Sequence, residues 1–163
     1  MSRAFVKEGT GDLDPLPDLP VSPHPNWVTP AGLAALRARL AAVQADLARL
    51  RARAERLDKL PEAAAERDIR YLEARLASAI LITPPAAPAE VAFATEATVA
   101  DEDGRETRWR IVGEDEADPA CGWISPQAPL ARALLGARVG DTVTWAKPAG
   151  AVTLEVLAIR AAL

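Results

Sequence analysis

Few residues in this chain could do chemistry, and their types narrow what that chemistry would be. Asp58 and Glu62 stand four residues apart in RAERLDKLPEAAAE, with Glu55 nearby, spaced like a carboxylate pair on a turn. Carboxylates are hard oxygen ligands for cations such as magnesium, and bound cations stabilise the attacking and leaving oxygens of phosphoryl transfer. Acids on a solvated turn are commonplace, so no catalytic residue is assigned; Asp58 and Glu62 are the candidates for such a role. A second acidic run, Glu114 to Asp118, could hold a cation, but its loop position favours a turn-and-packing role. Cys121 has no second cysteine as partner, and the single histidine, His24, lies between Pro23 and Pro25, far away in sequence. A nucleophilic cysteine needs an adjacent base, and a zinc site needs several nitrogen or sulfur ligands. Cys121 therefore reads as a structural thiol and His24 as a loop histidine. Gly113, Gly136, Gly140 and Gly150 are scattered turn glycines that form no phosphate-cradling loop. No metal site and no cofactor is expected.

A helical hairpin carries the two acids. Thr29 is a good N-cap and Pro30 suits the first helical position. Leu33, Leu36, Leu40, Val43, Leu47, Leu50, Ala54 and Leu57 follow at alternating spacings of 3 and 4. This heptad seam predicts a helix over 30–57, about 40 Å long at 1.5 Å per residue. DKLP, residues 58–61, breaks it, because proline inside one continuous helix would cost about 3 kcal/mol. Pro61 can open a second helix with the seam Ala65, Ile69, Leu72, Leu76 and Ala79. A turn this short sets the pair antiparallel, giving a coiled-coil hairpin over 30–82 and a proline-rich linker, TPPAAPAE, over 83–90. Residues 1–29 hold five prolines and predict an extended tail. Leu13, Leu16, Leu19, Val21 and Trp27 could dock it on a folded surface; disorder over 8–20 is the alternative.

Residues 91–163 read as strands over 93–100, 107–113, 142–147 and 152–160, with a turn at Asp103-Gly104. Pro129 starts a short helix, Leu130 to Leu135, and Gly136 stops it. The expected fold class is α+β: a helical hairpin followed by a small antiparallel sheet with one short helix. Trp109, Trp123 and Trp145 are expected to pack in its core.

Composition sets the outer bounds. A chain of 163 residues allows one or two small domains. It is 50% hydrophobic but only 4% aromatic, which favours long helices with thin seams. A single cysteine fits a reducing compartment. No apolar run approaches the ~18 residues of a membrane span, and the N-terminus shows no secretion signal. A soluble, cytoplasmic protein is expected. Residues 30–82 hold ten Arg/Lys against seven Asp/Glu, and residues 83–163 hold seven against twelve. That balance excludes a duplex-DNA reader, which needs a dense basic face.

Residues 111–143, IVGEDEADPACGWISPQAPLARALLGARVGDTV, resemble the C-terminal signature of the bacterial Gre factors. IVGEDEAD, Ile124-Ser125, PLARALLG and VGD stand in order and at matching spacing. VTPAGLAALRARLAAV resembles the family's opening, with Thr29, Gly32, Leu36 and Leu40 in register, and LEARLASAILI resembles the end of its second helix. The resemblance runs from Val28 to Ile159. It implies an FKBP-like domain over 91–163 that docks on RNA polymerase, with Gln127, Pro129 and Arg132 at matching positions. It also implies a hairpin that enters the polymerase's secondary channel.

Two departures stand out. Gre cleavage factors carry a tip motif like G-D-L-S-E-N-A-E-Y, whose two acids help hold a catalytic magnesium; here the tip has no such context. The arms are also shorter by roughly twenty residues, or ~15 Å of reach, and a ligating carboxylate must come within ~2 to 2.5 Å of a metal. In this the chain resembles the regulator of nucleoside diphosphate kinase, a Gre relative. At the docking helix, Ala128-Pro129 replaces the family's Ser-Pro, and loss of such a cap costs ~1 kcal/mol.

The expected function is that of a polymerase-binding factor that regulates elongation from the secondary channel without stimulating transcript cleavage, and not an enzyme itself. It would act as a monomer, touch nucleic acid only indirectly within the elongation complex, and contact no membrane. The alternative is a transcript-cleavage elongation factor using Asp58 and Glu62 as non-standard tip acids. A peptidyl-prolyl isomerase, suggested by the FKBP-like fold, would need an aromatic-lined pocket that four Trp, two Phe and one Tyr scarcely supply.

Overall fold

The computed structural model describes residues 14–54 and 58–162; Leu13, Glu55 and Leu57, named above, lie outside the described residues. The fold is α+β. The chain runs β1 (Trp27–Val28), α1 (Pro30–Arg51), α2 (Leu60–Ala77) and β2 (Ile80–Leu81). It continues as β3 (Thr95–Ala100), β4 (Glu106–Ile111), β5 (Trp123–Ile124), α3 (Pro129–Leu134), β6 (Thr142–Lys147) and β7 (Gly150–Ala161).

Helix α1 starts at its expected cap: Thr29 is extended, and its Oγ1 accepts the Gly32 N–H at 2.9 Å. Its seam packs Leu36 against fully buried Leu72 of α2, with Leu33, Leu40 and Val43 half-buried alongside. The helix ends at Arg51 rather than at 57. Reversing direction before Pro61 takes several non-helical residues, and the seam position Ala54 falls beyond the end of the helix. The 22 residues of α1 span about 33 Å, not 40. Pro61 sits in the first turn of α2, where its missing N–H costs nothing.

A clasp closes the root of the hairpin. β1 and β2 pair in parallel, Trp27 with Ile80 and Val28 with Leu81. Asn26, just before β1, is buried and donates from Nδ2 to the Arg75 carbonyl at 2.7 Å and to Ser78 Oγ at 3.1 Å. The tail ahead of it is docked where described: Arg70 donates to Asp18 at 2.6 Å and to the Leu16 carbonyl at 2.8 Å. Leu16 and Asp18 of the tail thus have partners on α2.

The second part is a five-stranded sheet in the order β5-β4-β3-β7-β6. The four longer strands are antiparallel, as their alternation predicts. β5 adds in parallel to β4, Arg110 opposite Trp123, so the sheet is mixed. Between them two one-turn 3-10 segments, Glu114–Glu116 and Pro119–Cys121, bring the chain back. Helix α3 packs Leu130, Ala131 and Leu134 into a core with Ala97, Val99, Ile111, Leu154 and Val156. Each large aliphatic buried there stabilises by about 1.5–3 kcal/mol. Gly136 at φ 84 ends α3, and Gly104 at φ 74 turns β3 into β4. Trp109 and Trp145 join the core edge-to-face at 5.9 Å. Trp123 does not: it is 39% exposed and lies under the Arg110 guanidinium, 5.4 Å from its ring. Its backbone is bonded on both sides, to β4 and to Asp118 in an antiparallel bridge, while its indole lies outside the core. Among the described residues, no helix is long and apolar enough to cross a membrane.

Candidate functional site

Three places carry the residues of interest: the hairpin tip, the outer face of α3, and the junction between hairpin and sheet. At the tip, Asp58 is exposed and its Oδ1 accepts the Leu60 N–H at 2.9 Å, just before the N-cap Lys59 of α2, which itself makes no side-chain cap bond. Glu62 is not the solvated turn acid its position suggested. It lies in the first turn of α2, is 5% exposed, and faces Arg53 at 3.9 Å. A carboxylate at this end of a helix also suits the helix dipole. Arg51 takes Glu66 at 2.6 Å and Arg49 pairs with Asp46. The two acids thus serve separate structural partners. Among the described residues, no group of three His, Cys, Asp or Glu side chains is placed to hold a metal ion.

On α3, Leu130, Ala131 and Leu134 face the core, which turns Pro129 and Arg132 outward. Arg132 donates to Gln127 Oε1 at 3.0 Å across the helix start. The structure therefore brings Gln127 and Arg132 together beside Pro129, with Leu135 and Val139 exposed just beyond. Ala128 occupies the N-cap and makes no side-chain cap bond. Nothing buries the Arg132 guanidinium, so its charge faces solvent.

The junction is a dense polar site. Three consecutive acids of the turn after β4 reach across to the hairpin. Glu114 accepts from Ser22 Oγ at 2.9 Å and from Arg75 Nη2 at 3.4 Å. Asp115 accepts from Arg75 Nε and from Tyr71 Oη, both at 2.6 Å. Glu116 accepts the Thr29 N–H at 3.2 Å and the Gly113 N–H at 3.0 Å, and it also bonds the Thr29 hydroxyl. The Arg75 side chain is 1% exposed. Burial, then the hydrogen bond to Asp115, pushes the Tyr71 hydroxyl up to about 12. The approach is close enough to need two glycines. A Cβ on Gly32 would overlap the Glu116 carboxyl, and one on Gly113 would lie 2.7 Å from the Trp27 carbonyl oxygen. Nearby, Cys121 is exposed, and its hydrogen bond to Asp118 holds the thiol pKa above its ordinary value, which suits an unreactive role.

Comparison with known proteins gives these places a context. Residues 86–161 match the family described as "Transcription elongation factor, GreA/GreB, C-term". The transcription elongation factor GreB of Neisseria meningitidis serogroup B is 33% identical over 151 residues, covering 82% of this chain and 93% of that protein. This chain belongs to the Gre family of transcription elongation factors. The GreA of Alkalilimnicola ehrlichii is 39% identical over 102 residues, 61% of this chain. There the match spans 65% of the GreA, just under two thirds of its length. A crystal structure of GreA factor homolog 1 of Thermus thermophilus is 25% identical and covers 84% of this chain, with a TM-score of 0.41.

Within this Gre-family chain, sequence reasoning picked out the acidic run 114–118 as a turn and missed what it grips. Arg75 and Tyr71 lie 39–44 residues before their acid partners and Ser22 lies 92 before. The one available signal was an arginine at 75 beside Leu72 and Leu76, close to an otherwise apolar seam.

Proposed function

We propose that this Gre-family chain binds RNA polymerase through the outer face of α3, with Gln127, Pro129 and Arg132 at the contact. Docked there, it would extend the hairpin into the secondary channel and regulate elongation by occupancy. In this reading residues 1–29 are a tail, 30–82 the arm, 83–90 a linker and 91–163 the docking domain. The protein acts as a cytoplasmic monomer and touches nucleic acid only through the elongation complex. It does not itself stimulate transcript cleavage.

The observation that carries the last point is the direction of the tip acids. Asp58 accepts the Leu60 N–H at the start of α2, and Glu62 is buried beside Arg53. To ligate magnesium at ~2.1 Å a carboxylate must be free to reach it. Freeing Glu62 would unpack the first turn of α2. A second point is the exposed, Gln127-supported Arg132, a guanidinium on a rigid helix and a common anchor in protein interfaces.

The test is a competition experiment on a backtracked elongation complex. Added alone, the protein should not accelerate cleavage of the RNA. Added in excess over an authentic cleavage factor, it should inhibit factor-stimulated cleavage in a dose-dependent way. Arg132→Glu should weaken binding to core polymerase and relieve that inhibition. Stimulation by the protein alone that disappears in Asp58→Ala or Glu62→Ala would establish the cleavage-factor alternative instead.

A further inference from the structure

We infer that Arg75 is a positioning residue: gripped by Glu114 and Asp115, it sets the direction in which the hairpin leaves the sheet. The consequence for transcription rests on the docking reading above; the positioning itself does not. Orientation of one rigid body on another needs three anchors that are not in line. The turn Glu114–Glu116 supplies them. Asp115 holds Tyr71 and Arg75, one helical turn apart on α2. Glu116 holds Thr29, the cap of α1. The mount is firm, because the turn follows Ile111, which is 0% exposed at the end of β4. The arm is also long compared with its root. A change of about 10° at the root would move the far end of a ~33 Å helix by about 6 Å, several times what a positioned group tolerates.

Arg75 is the centre of this arrangement. Its side chain is 1% exposed, and it bonds both Asp115 at 2.6 Å and Glu114 at 3.4 Å. Its own carbonyl accepts from Asn26, so the clasp at β1 and β2 meets the same residue. A pair buried this deeply is weak evidence for net stability, and fixing a unique geometry is the better-attested use of such a pair.

The experiment uses the full chain with Cys121→Ser and spin labels at Ala48→Cys on α1 and Ala158→Cys on β7, both exposed positions. Pulsed dipolar spectroscopy should give one narrow distance distribution. Arg75→Ala should broaden it, and Arg75→Lys, which still offers Asp115 a cation, should restore much of the narrowness. With unlabelled protein, Arg75→Ala should bind core polymerase with unchanged affinity, because the α3 face is untouched. Its effect on elongation should fall, because a redirected arm no longer occupies the channel. A distribution as narrow in Arg75→Ala as in the parent overturns the inference; a broad one with full effect on elongation upholds the positioning and overturns its consequence for transcription. Circular dichroism checks that the helices remain. If Arg75→Ala loses them, Asp115→Asn decides in its place, since it keeps the arginine and its packing while weakening the grip. If the parent itself fails to bind polymerase, the docking reading falls, and the distance measurement still decides whether Arg75 aims the arm.

Discussion

Tyr71 is the single tyrosine of the chain, and its hydroxyl donates to Asp115 at 2.6 Å in the junction. Its phenol is therefore a spectroscopic reporter of that contact. With the folded pKa raised to about 12, above the ordinary 10.0, its contribution to stability is complete below pH ~10 and is lost as pH rises towards ~12. Absorbance at 295 nm should show native tyrosinate forming only near the upper value, and urea should bring the midpoint back to about 10. A native midpoint near 10 would mean that Asp115 does not hold it. The neighbouring Arg75→Ala leaves an acid pair facing a buried gap and should cost about 3–5 kcal/mol, read from urea unfolding. Gly32→Ala, which drives a methyl into the Glu116 carboxyl, should cost about 1–3 kcal/mol by the same measurement. At Glu96 burial opposes the charge, but hydrogen bonds from Arg160 and Arg110 outweigh it and hold the carboxyl below its usual range. Its stabilisation is present above the unfolded carboxylate pKa and is lost as pH falls through the depressed one. Residue types alone pointed to the acidic turn, and nothing in their spacing could name partners so far back in the chain.

At the scale of elements, legibility followed length. The heptads announced α1 and α2, and alternation announced β3, β4, β6 and β7 to within a few residues. β1, β2 and β5 hold two residues each, too few for any period, and they exist because tertiary neighbours pair their backbones. The end of α1 was overrun for the opposite reason: Ala54 and Leu57 continue the seam in sequence, while the reversal before Pro61 uses up helical residues. Helix α3 has only six residues and no side-chain cap. Ala128→Ser should supply one and stabilise the protein by about 0.5–1 kcal/mol, seen as a higher Tm. If the Tm stays the same, the serine has not taken up the cap.

For the whole molecule, the hairpin is helix packed on helix through a thin seam, and the sheet has its own core. Leu47 is 7% exposed and lies far along α1 from the junction. Leu47→Asp should therefore melt the arm, visible as lost signal at 222 nm, while the near-ultraviolet signal of the Trp109–Trp145 pair survives. Loss of both signals in one transition would show that junction and arm unfold together. The division of labour also explains why family membership was readable and mechanism was not. The family match covers residues 86–161, which hold the five-stranded sheet, its turns and α3. Whether the tip can act depends on where two carboxylates point, and packing around Pro61 and Arg53 decides that.

The clasp of β1 with β2 has a consequence for how such arms diversify. Helix α1 begins at β1 and α2 ends at β2, and the contacts described above that orient them on the sheet are made at that end. Arm length is thus a free variable. Removing or adding one heptad from each helix would shift the tip by about 10.5 Å and keep the seam in register, with the clasp, the junction and the outer face of α3 unaltered. The fold is a ruler with a fixed zero, and variants of different reach can arise by paired insertions or deletions without rebuilding the mount.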